Sequence, residues 1–381
     1  MRGWAELAPY NFMHAMRLEE PANLERWLQA AEDALRPLEL GAAPVTIESP
    51  ATTIDEHLDA ELNRGFGPGE LPLRFFVINE TNGGHWLGVV IDHWLADDYS
   101  CRLLLERVYA NYRSPGRQKE TSELVRATAP TARRGWLGAW FDFFQQATMF
   151  RRAIRISLRD PVDPTVRTFR TALPEGMLES IRALAKRQGA TVHDVFLASV
   201  AQVFGRDQAM TSKRDSVAIA SAMDLRRFEP EERRNGFGLL ITQYPVIEHA
   251  PDKVAFEQLI SRIARRTSRL RKVANLEVFG PALTLWRLAR SRRARATLYQ
   301  RGAPFVAGLS NVNLTGSWIE QAPISEYRRV GPTGVVIPIL LMISTLHGRI
   351  FIDTTYRTAA FSRPAAEILL EEFAQHLSMT R

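Results

Sequence analysis

Cysteine is almost absent from this 381-residue sequence, in which Cys101 is the single example. One thiol cannot form an internal disulfide and supplies no cysteine cluster for zinc, so we expect a reducing compartment and no metal site. A continuous run of about 20 apolar residues is also missing, which argues against a membrane-spanning helix. The N-terminus lacks the apolar core of a signal peptide. These absences predict a cytoplasmic protein.

Nucleotide-binding signatures are missing as well, because no Gly-rich loop of the Rossmann or P-loop type follows a predicted strand. Basic charge is in excess instead: the formal net charge is +7. A surface field of this sign favours acidic partners. The arginines fall within amphipathic helical patterns and no nucleic-acid module is recognisable, so we expect no nucleic-acid partner.

Length and composition indicate a soluble globular chain of two domains. Hydrophobic residues make up 45% of the sequence and charged residues 24%, which is typical of globular proteins. A length of 381 residues suits two cores better than one. Strand and helix patterns alternate in both halves, which predicts an α/β fold. We expect domains at 1–165 and 166–381, with an amphipathic arm at about 133–160.

His93 is the strongest candidate for a functional residue. Residues 85–91 form a short apolar run after a glycine turn, which predicts a buried strand. Residues 100–112 have helical periodicity, with Asp98 and Ser100 as candidate N-caps. His93 is therefore expected in a strand-to-helix turn, where a scaffold holds a loop side chain beside a crevice. Its neutral imidazole can accept a proton near pH 7.

The residues around His93 carry a resemblance to a known superfamily. His93 and Asp97 have the spacing of the HxxxD motif of BAHD acyltransferases and chloramphenicol acetyltransferase. The same stretch resembles the HHxxxDG motif of nonribosomal-peptide condensation domains and wax-ester synthases. Further segments that resemble the superfamily follow in the right order: Thr191–Ala198, Asp224–Arg227, Asn235–Gly238, Ser310–Asn313 and Tyr327–Pro332.

This resemblance implies two chloramphenicol-acetyltransferase-like subdomains in a V arrangement, with mixed sheets flanked by helices. It implies a channel between the subdomains with His93 at its centre. The implied activity is transfer of an acyl group from a thioester to a small hydroxyl or amine acceptor, with His93 as general base. Phosphopantetheine on a carrier protein, or coenzyme A, would bring the acyl group as a co-substrate. No permanently bound cofactor and no metal are implied.

Asp97 has two interpretations. A carboxylate four residues after a histidine can orient the imidazole, as in a catalytic triad. It can instead form an ion pair with a buried arginine and hold the shape of the loop. The resemblance favours the second interpretation and implies Arg226 as the partner, with the bidentate geometry common in such pairs.

Two residues depart from the longer motif. Asp92 occupies the position of its first histidine, and Asp98 that of its glycine. Asp92 could stabilise the imidazolium of His93, although adjacent side chains of a strand point to opposite faces. Asp98 lacks the backbone freedom of glycine. Aspartate there resembles condensation-like domains that bind other proteins without catalysis, which gives the alternative hypothesis of an inactive recruiting module.

Other residues are assigned to the channel by the resemblance. Ser310 and Asn311 are expected to line it and to donate hydrogen bonds to the donor or to an oxyanion, although a purely structural turn is the alternative. Gly236 and Asn313 are also expected there, and Trp94 is either core or channel wall. His193 stands where the family often has asparagine, at the predicted start of a helix, and is expected to form a hydrogen bond.

Two kinds of surface suggest partners. Aromatic residues at helical spacing in 136–150 predict an arm that docks on the body or, alternatively, an interfacial membrane helix. Arginine-rich stretches at 262–272 and 287–295 are either solvated faces or a docking site. Their ligand would be an acidic acyl-carrier protein or the phosphates of coenzyme A.

Overall fold

The chain divides into two compact units, seen in a computed structural model that describes residues 6–40, 45–49, 51–114, 136–209, 214–271, 289 and 291–378. The first unit takes its described residues from Met1–Pro130, Asp224–Ile241 and Leu314–Pro332. The second takes them from Thr131–Met223, Thr242–Asn313 and Thr333–Arg381.

This division differs from a single boundary at residue 165. Two segments of the second half, 224–241 and 314–332, belong to the first unit. Strand pairing holds one of them and a buried ion pair holds the other, and neither partner is near in sequence. The described part of the expected arm, from residue 136, belongs to the second unit.

The strands of the described residues form two sheets. They are β1 (Asn11–Leu18), β2 (Ile47–Glu48), β3 (Leu73–Asn79), β4 (His85–Asp92), β5 (Val166–Ala172), β6 (Ser216–Asp224), β7 (Ile241–His249), β8 (Ala307–Asn313), β9 (Ile324–Val330), β10 (Ile339–Leu346) and β11 (Arg349–Arg357). The first sheet has the order β2-β3-β4-β1-β9, and the second has the order β5-β11-β10-β8-β6-β7.

Both sheets are mixed. In the first, β2 is parallel to β3, and the other neighbouring strands are antiparallel. In the second, β8 runs parallel to β6 and β10, while β11 is antiparallel to β10 and β5. The α/β fold class with two mixed sheets is therefore confirmed.

Helices accompany each sheet. They are α1 (Leu24–Leu35), α2 (Ile54–Leu62), α3 (Asp98–Arg113), α4 (Trp136–Phe150), α5 (Met177–Arg187), α6 (Val192–Ala209), α7 (Glu231–Arg234), α8 (Phe256–Leu270), α9 (Arg292–Gly302), α10 (Trp318–Gln321) and α11 (Arg363–Ser378). Nowhere in the described ranges is a helix long and apolar enough to cross a membrane.

Strands β3 and β4 form the hairpin that leads to His93. The turn between them contains Gly83, whose φ of 87° suits glycine because other residues rarely adopt it. All eight residues of β4 are buried, as the continuous apolar run predicts. At Gly88 a Cβ would lie 2.1 Å from the ring of Phe76, so only glycine lets these strands pack. The hairpin fixes the place where β4 ends.

The helix after the loop begins differently from the prediction. Asp98 is its first helical residue, and the N-cap is Asp97, whose carboxylate accepts a hydrogen bond from the Ser100 backbone N–H. Asp98 and Ser100 were the predicted caps and were wrong. Periodicity locates a helix start only to within a few residues, since the capping hydrogen bond decides it.

Candidate functional site

His93 lies directly after β4, in a loop held against β1. Its backbone N–H donates to the carbonyl of Tyr10 over 2.9 Å. Its ring stacks against Tyr10 and Phe12, with centroids 5.4 and 5.3 Å away. Two aromatic neighbours and a backbone anchor fix the orientation of the imidazole. Neither neighbour has a local sequence signal, because pairing of β1 with β4 brings them there.

The hydrogen-bond partner of Nδ1 determines which nitrogen of the His93 ring carries the proton. Nδ1 lies 3.0 Å from the carbonyl oxygen of Ala96. A carbonyl can only accept, so Nδ1 carries the proton and Nε2 of the neutral ring carries a lone pair. Among the described residues, no group forms a hydrogen bond with Nε2. The side chain is partly exposed, and burial lowers the pKa of His93 below its usual range. His93 is thus a neutral imidazole of fixed orientation, whose Nε2 lone pair can accept a proton.

Asp97 and Arg226 form a buried ion pair within the first unit. Arg226 Nη1 lies 2.7 Å from Asp97 Oδ2, and the two residues are 1% and 5% exposed. The contact uses one carboxylate oxygen and is not the bidentate fork expected from the resemblance. The same oxygen also accepts from the Leu240 backbone N–H at 2.7 Å. Asp97 therefore joins the loop to the segment that precedes β7.

That segment is bound along the start of α3. The Ser100 hydroxyl donates to the Gly238 carbonyl over 2.8 Å, and Arg226 Nη2 donates to the Gly236 carbonyl over 3.1 Å. Gly236, which was expected in the channel, is buried, and its carbonyl helps to hold the Arg226 side chain in place. Together these contacts give the loop that carries His93 a fixed shape.

Asp98 lies in a second buried charge cluster. Its carboxylate is 2.7 Å from Arg329 Nε, 3.1 Å from Arg102 Nη2 and 3.3 Å from His14 Nε2. Burial alone would raise the pKa of Asp98, but Arg329 and Arg102 outweigh it and hold that pKa well below its usual range. Tyr327 closes the cluster, with its hydroxyl 2.6 Å from His14 Nδ1.

This cluster explains how aspartate replaces the motif's glycine without strain. The non-glycine residues with positive φ in the described chain are Glu39, Ala250 and His347, so Asp98 has ordinary helical backbone. Its charge is neutralised by an arginine 231 positions away. The contacts of His14, Arg329 and Tyr327 in this cluster were not predicted, because no local pattern links strands so distant in the chain.

Asp92 and Trp94 adjoin His93. Asp92 is buried, and its carboxylate accepts from the Trp94 backbone N–H at 3.4 Å. Burial raises the pKa of Asp92. The Asp92 carboxylate therefore contacts the backbone of the turn that carries His93. Trp94 is half-buried.

Ser310, Asn311 and Asn313 all lie in β8 of the second unit. The side chain of Asn311 is bonded to His193, whose ring also contacts Ser221. The channel in which these residues were expected stays a prediction.

The arginine-rich stretches are partly engaged within the second unit. Arg262 and Arg266 contact the buried carboxylate of Glu248 at 2.6 and 3.2 Å. On the same helix, α8, Arg265 and Arg269 are exposed. In α9, Arg292 and Arg293 are exposed. Residues 272, 287–288 and 290 lie outside the described residues.

No cluster of three or more His, Cys, Asp or Glu side chains that could hold a metal occurs in the described chain. Cys101 is buried in α3, and burial raises the pKa of its thiol well above the usual range.

Comparison with known proteins gives structural matches only. No family model and no curated protein matches the sequence. The condensation domain of a monacolin K polyketide synthase has a TM-score of 0.71 at 14% identity, covering 99% of this chain and 94% of that one. The first condensation domain of the calcium-dependent antibiotic synthetase has a TM-score of 0.70 at 14% identity, covering 97% and 90%.

A third match is the X-domain from teicoplanin biosynthesis, with a TM-score of 0.63 at 18% identity, covering 99% of this chain and 92% of that one. This X-domain has also been solved in complex with OxyB. Identities this low establish the fold and leave the activity open. This chain therefore has the fold of a condensation domain.

Proposed function

We propose that this protein is a condensation-like acyltransferase. It transfers an acyl group from a thioester, carried by phosphopantetheine of a carrier protein or by coenzyme A, to a hydroxyl or amine. The observation that supports this most directly is the partly exposed imidazole of His93, oriented by Ala96, with an unengaged Nε2. A hydroxyl or amine is a weak nucleophile until a base of this kind removes its proton.

The chemistry requires only the base and the thioester. Nε2 of His93 accepts the proton of the acceptor as its oxygen or nitrogen attacks the thioester carbonyl carbon. Collapse of the tetrahedral intermediate breaks the C–S bond, and the imidazolium returns a proton to the thiolate. The products are an ester or amide and a free thiol. Asp97 and Arg226 hold the loop and take no proton in this scheme.

Product formation from defined substrates tests the proposal. Purified wild type is incubated with acyl-pantetheine, acyl-coenzyme A and acyl-carrier-protein thioesters, each with hydroxyl and amine acceptors. Mass spectrometry then looks for ester or amide that depends on His93. We expect a product with at least one donor class, and its complete absence across the panel would contradict the proposal.

The alternative function is a silent module that recruits a biosynthetic partner. Two observations favour it: Asp98 replaces the motif's glycine, and the teicoplanin X-domain with the same fold has been solved with OxyB. A wild type without any product, together with a stable complex with a purified enzyme of the same biosynthetic pathway, would select this alternative.

The pH dependence of transfer follows from the environment of His93. Burial lowers the pKa of His93. The ring is therefore still neutral at about pH 6.5, the ordinary histidine pKa, and becomes protonated only at lower pH. We expect kcat/KM for a hydroxyl acceptor to stay level on acidification to about that pH and to fall only below it. An amine acceptor would obscure this pH profile, because the amine also changes its protonation state with pH. A fall centred above the ordinary histidine pKa would contradict the assignment.

Docking of an acidic carrier protein should depend on the exposed arginines of α8. Reversing both charges, Arg265→Glu with Arg269→Glu, is expected to weaken carrier-protein binding roughly five- to tenfold, since each surface ion pair contributes about 0.2–1 kcal/mol. Added salt should weaken binding to wild type by screening. Isothermal titration at two ionic strengths measures both effects.

The matched control is Lys186→Glu with Arg187→Glu, which makes the same charge change on exposed residues of α5. Binding by this control should stay near the wild-type value. Equal weakening by both double variants would indicate net charge alone, and binding insensitive to salt would contradict the docking surface.

Peripheral contact with a lipid surface is a secondary proposal. Phe141, Phe144 and Met149 of α4 are 69%, 59% and 38% exposed. Arg151 and Arg152 follow the helix and are exposed. An apolar helix face with basic neighbours is the composition of interfacial helices. A cytoplasmic location likewise stays a prediction.

A further inference from the structure

Three polar side chains of the second unit form a continuous hydrogen-bonded relay. His193 lies at the start of α6, Ser221 in β6 and Asn311 in β8. The Nε2 atom of His193 is 2.7 Å from the Ser221 hydroxyl. Its Nδ1 atom is bonded to the amide oxygen of Asn311. Three separate elements thus converge on one imidazole.

The partners assign the protons of this relay. The amide oxygen of Asn311 can only accept, so His193 Nδ1 carries the ring proton. Nε2 then has a lone pair and accepts from the Ser221 hydroxyl. Burial lowers the pKa of His193 to about 4, which keeps the ring neutral near pH 7. The relay therefore has one direction, from Ser221 through His193 to Asn311.

A serine, a histidine and an amide in this order have the arrangement of a nucleophile, a base and an orienting group. Exposure excludes that role here. Ser221 is 0% exposed, so its oxygen meets no substrate carbonyl. His193 and Asn311 are partly exposed. The accessible end of the relay is accordingly the asparagine.

Because the amide oxygen of Asn311 is held by His193, its Nδ2 group is directed away from the histidine. Within the described residues, Nδ2 has no hydrogen-bond partner. A partly exposed amide with a fixed orientation and two available N–H groups is a donor for a ligand that carries a hydrogen-bond acceptor. A carbonyl oxygen has that property.

We propose that Ser221 and His193 are positioning residues that hold the Asn311 amide so that its N–H groups donate to a carbonyl of the bound acyl-pantetheine. The inference rests on the proposed function, from which the ligand class is taken. The amide and thioester carbonyl oxygens of acyl-pantetheine are hydrogen-bond acceptors, which an N–H donor such as the Asn311 amide can bind. Loss of His193 would let the amide rotate and would weaken binding without removing the donor.

Binding of a stable probe tests the relay without any turnover. The probe is acyl-pantetheine in which the thioester sulfur is replaced by nitrogen, and its Kd is measured by isothermal titration. We expect His193→Ala and Asn311→Ala each to weaken binding about three- to tenfold, the usual contribution of one hydrogen bond. The double variant should bind no more weakly than Asn311→Ala alone, because His193 acts through Asn311. Additive losses, or none, would overturn the inference.

The Asn311→Asp variant distinguishes loss of the N–H donor from loss of folding. It keeps the oxygen that His193 contacts and replaces the Nδ2 donor with an acceptor, so binding should fall while the melting temperature stays near wild type. Imidazole ¹⁵N chemical shifts give an independent readout: His193 of the wild type should be the neutral form protonated at Nδ1. A ring protonated at Nε2 would contradict the relay's direction.

The same titrations distinguish this inference from the proposed function. His347→Asn retains the whole relay and changes an exposed turn residue, so it should bind the probe as wild type does. If relay variants bind as tightly as wild type, the inference fails and the transferase proposal stands. If wild type does not bind the probe at all, the assignment of the ligand class fails, and the proposed use of pantetheine thioesters fails with it.

Discussion

Replacing His93 with alanine is expected to lower kcat/KM for acyl transfer by roughly 10²–10⁴-fold, the usual contribution of a general base. The reason is local: Nδ1 is bonded to Ala96, so Nε2 is the ring atom that can take a proton from the acceptor. His93→Gln should lose activity similarly, because its amide cannot accept that proton. Initial rates with the best donor and acceptor of the panel measure both losses.

The matched control for His93 is His347→Asn. His347 is an exposed histidine in the turn between β10 and β11, with a φ of 49° that asparagine tolerates. Its replacement should leave kcat/KM unchanged. Circular dichroism and melting curves establish that the His93 variants are folded. A folded His93→Ala protein with wild-type activity would contradict the general-base role and leave transfer to another residue.

Replacing Asp97 with alanine is expected to destabilise the protein by about 3–5 kcal/mol, because a buried arginine is left without its carboxylate. Arg226 is 5% exposed, and Asp97 also accepts from the Leu240 backbone N–H. The Leu240 N–H would lose this acceptor, and Arg226 would lose its buried carboxylate and keep only the exposed carboxylate of Asp224. Urea unfolding followed by tryptophan fluorescence measures the change, and Arg226→Ala should give a loss of the same order.

Asp224→Ala is the matched control, since Asp224 also contacts Arg226 Nη1, at 3.4 Å. Its side chain is 53% exposed, so we expect a loss of at most about 1 kcal/mol. The two interpretations of Asp97 separate here. A stable but inactive Asp97→Ala protein would support a carboxylate that orients His93, whereas an unstable one supports the structural ion pair.

Short-range sequence patterns predicted much of the local structure around His93. The apolar run of β4 predicted a buried strand, the helical spacing after it predicted α3, and the placement of His93 between them followed. These features depend on neighbours in sequence, since periodicity and turn residues act over a few positions. The α/β class followed for the same reason. Residues 91–98 and the later segments also resembled condensation domains, whose fold the chain has.

Long-range pairing decided the rest. Arg329 reaches Asp98 from 231 positions away, and His193 is joined to Asn311 across 118 positions. A sequence lists these side chains but contains no distance between them, because sheet order and register bring them together. The identity of the residues therefore predicted that this chain has a base at His93. The tertiary structure decided which nitrogen of His93 is engaged by Ala96, how Asp98 is neutralised and which atom of the Asn311 amide contacts His193.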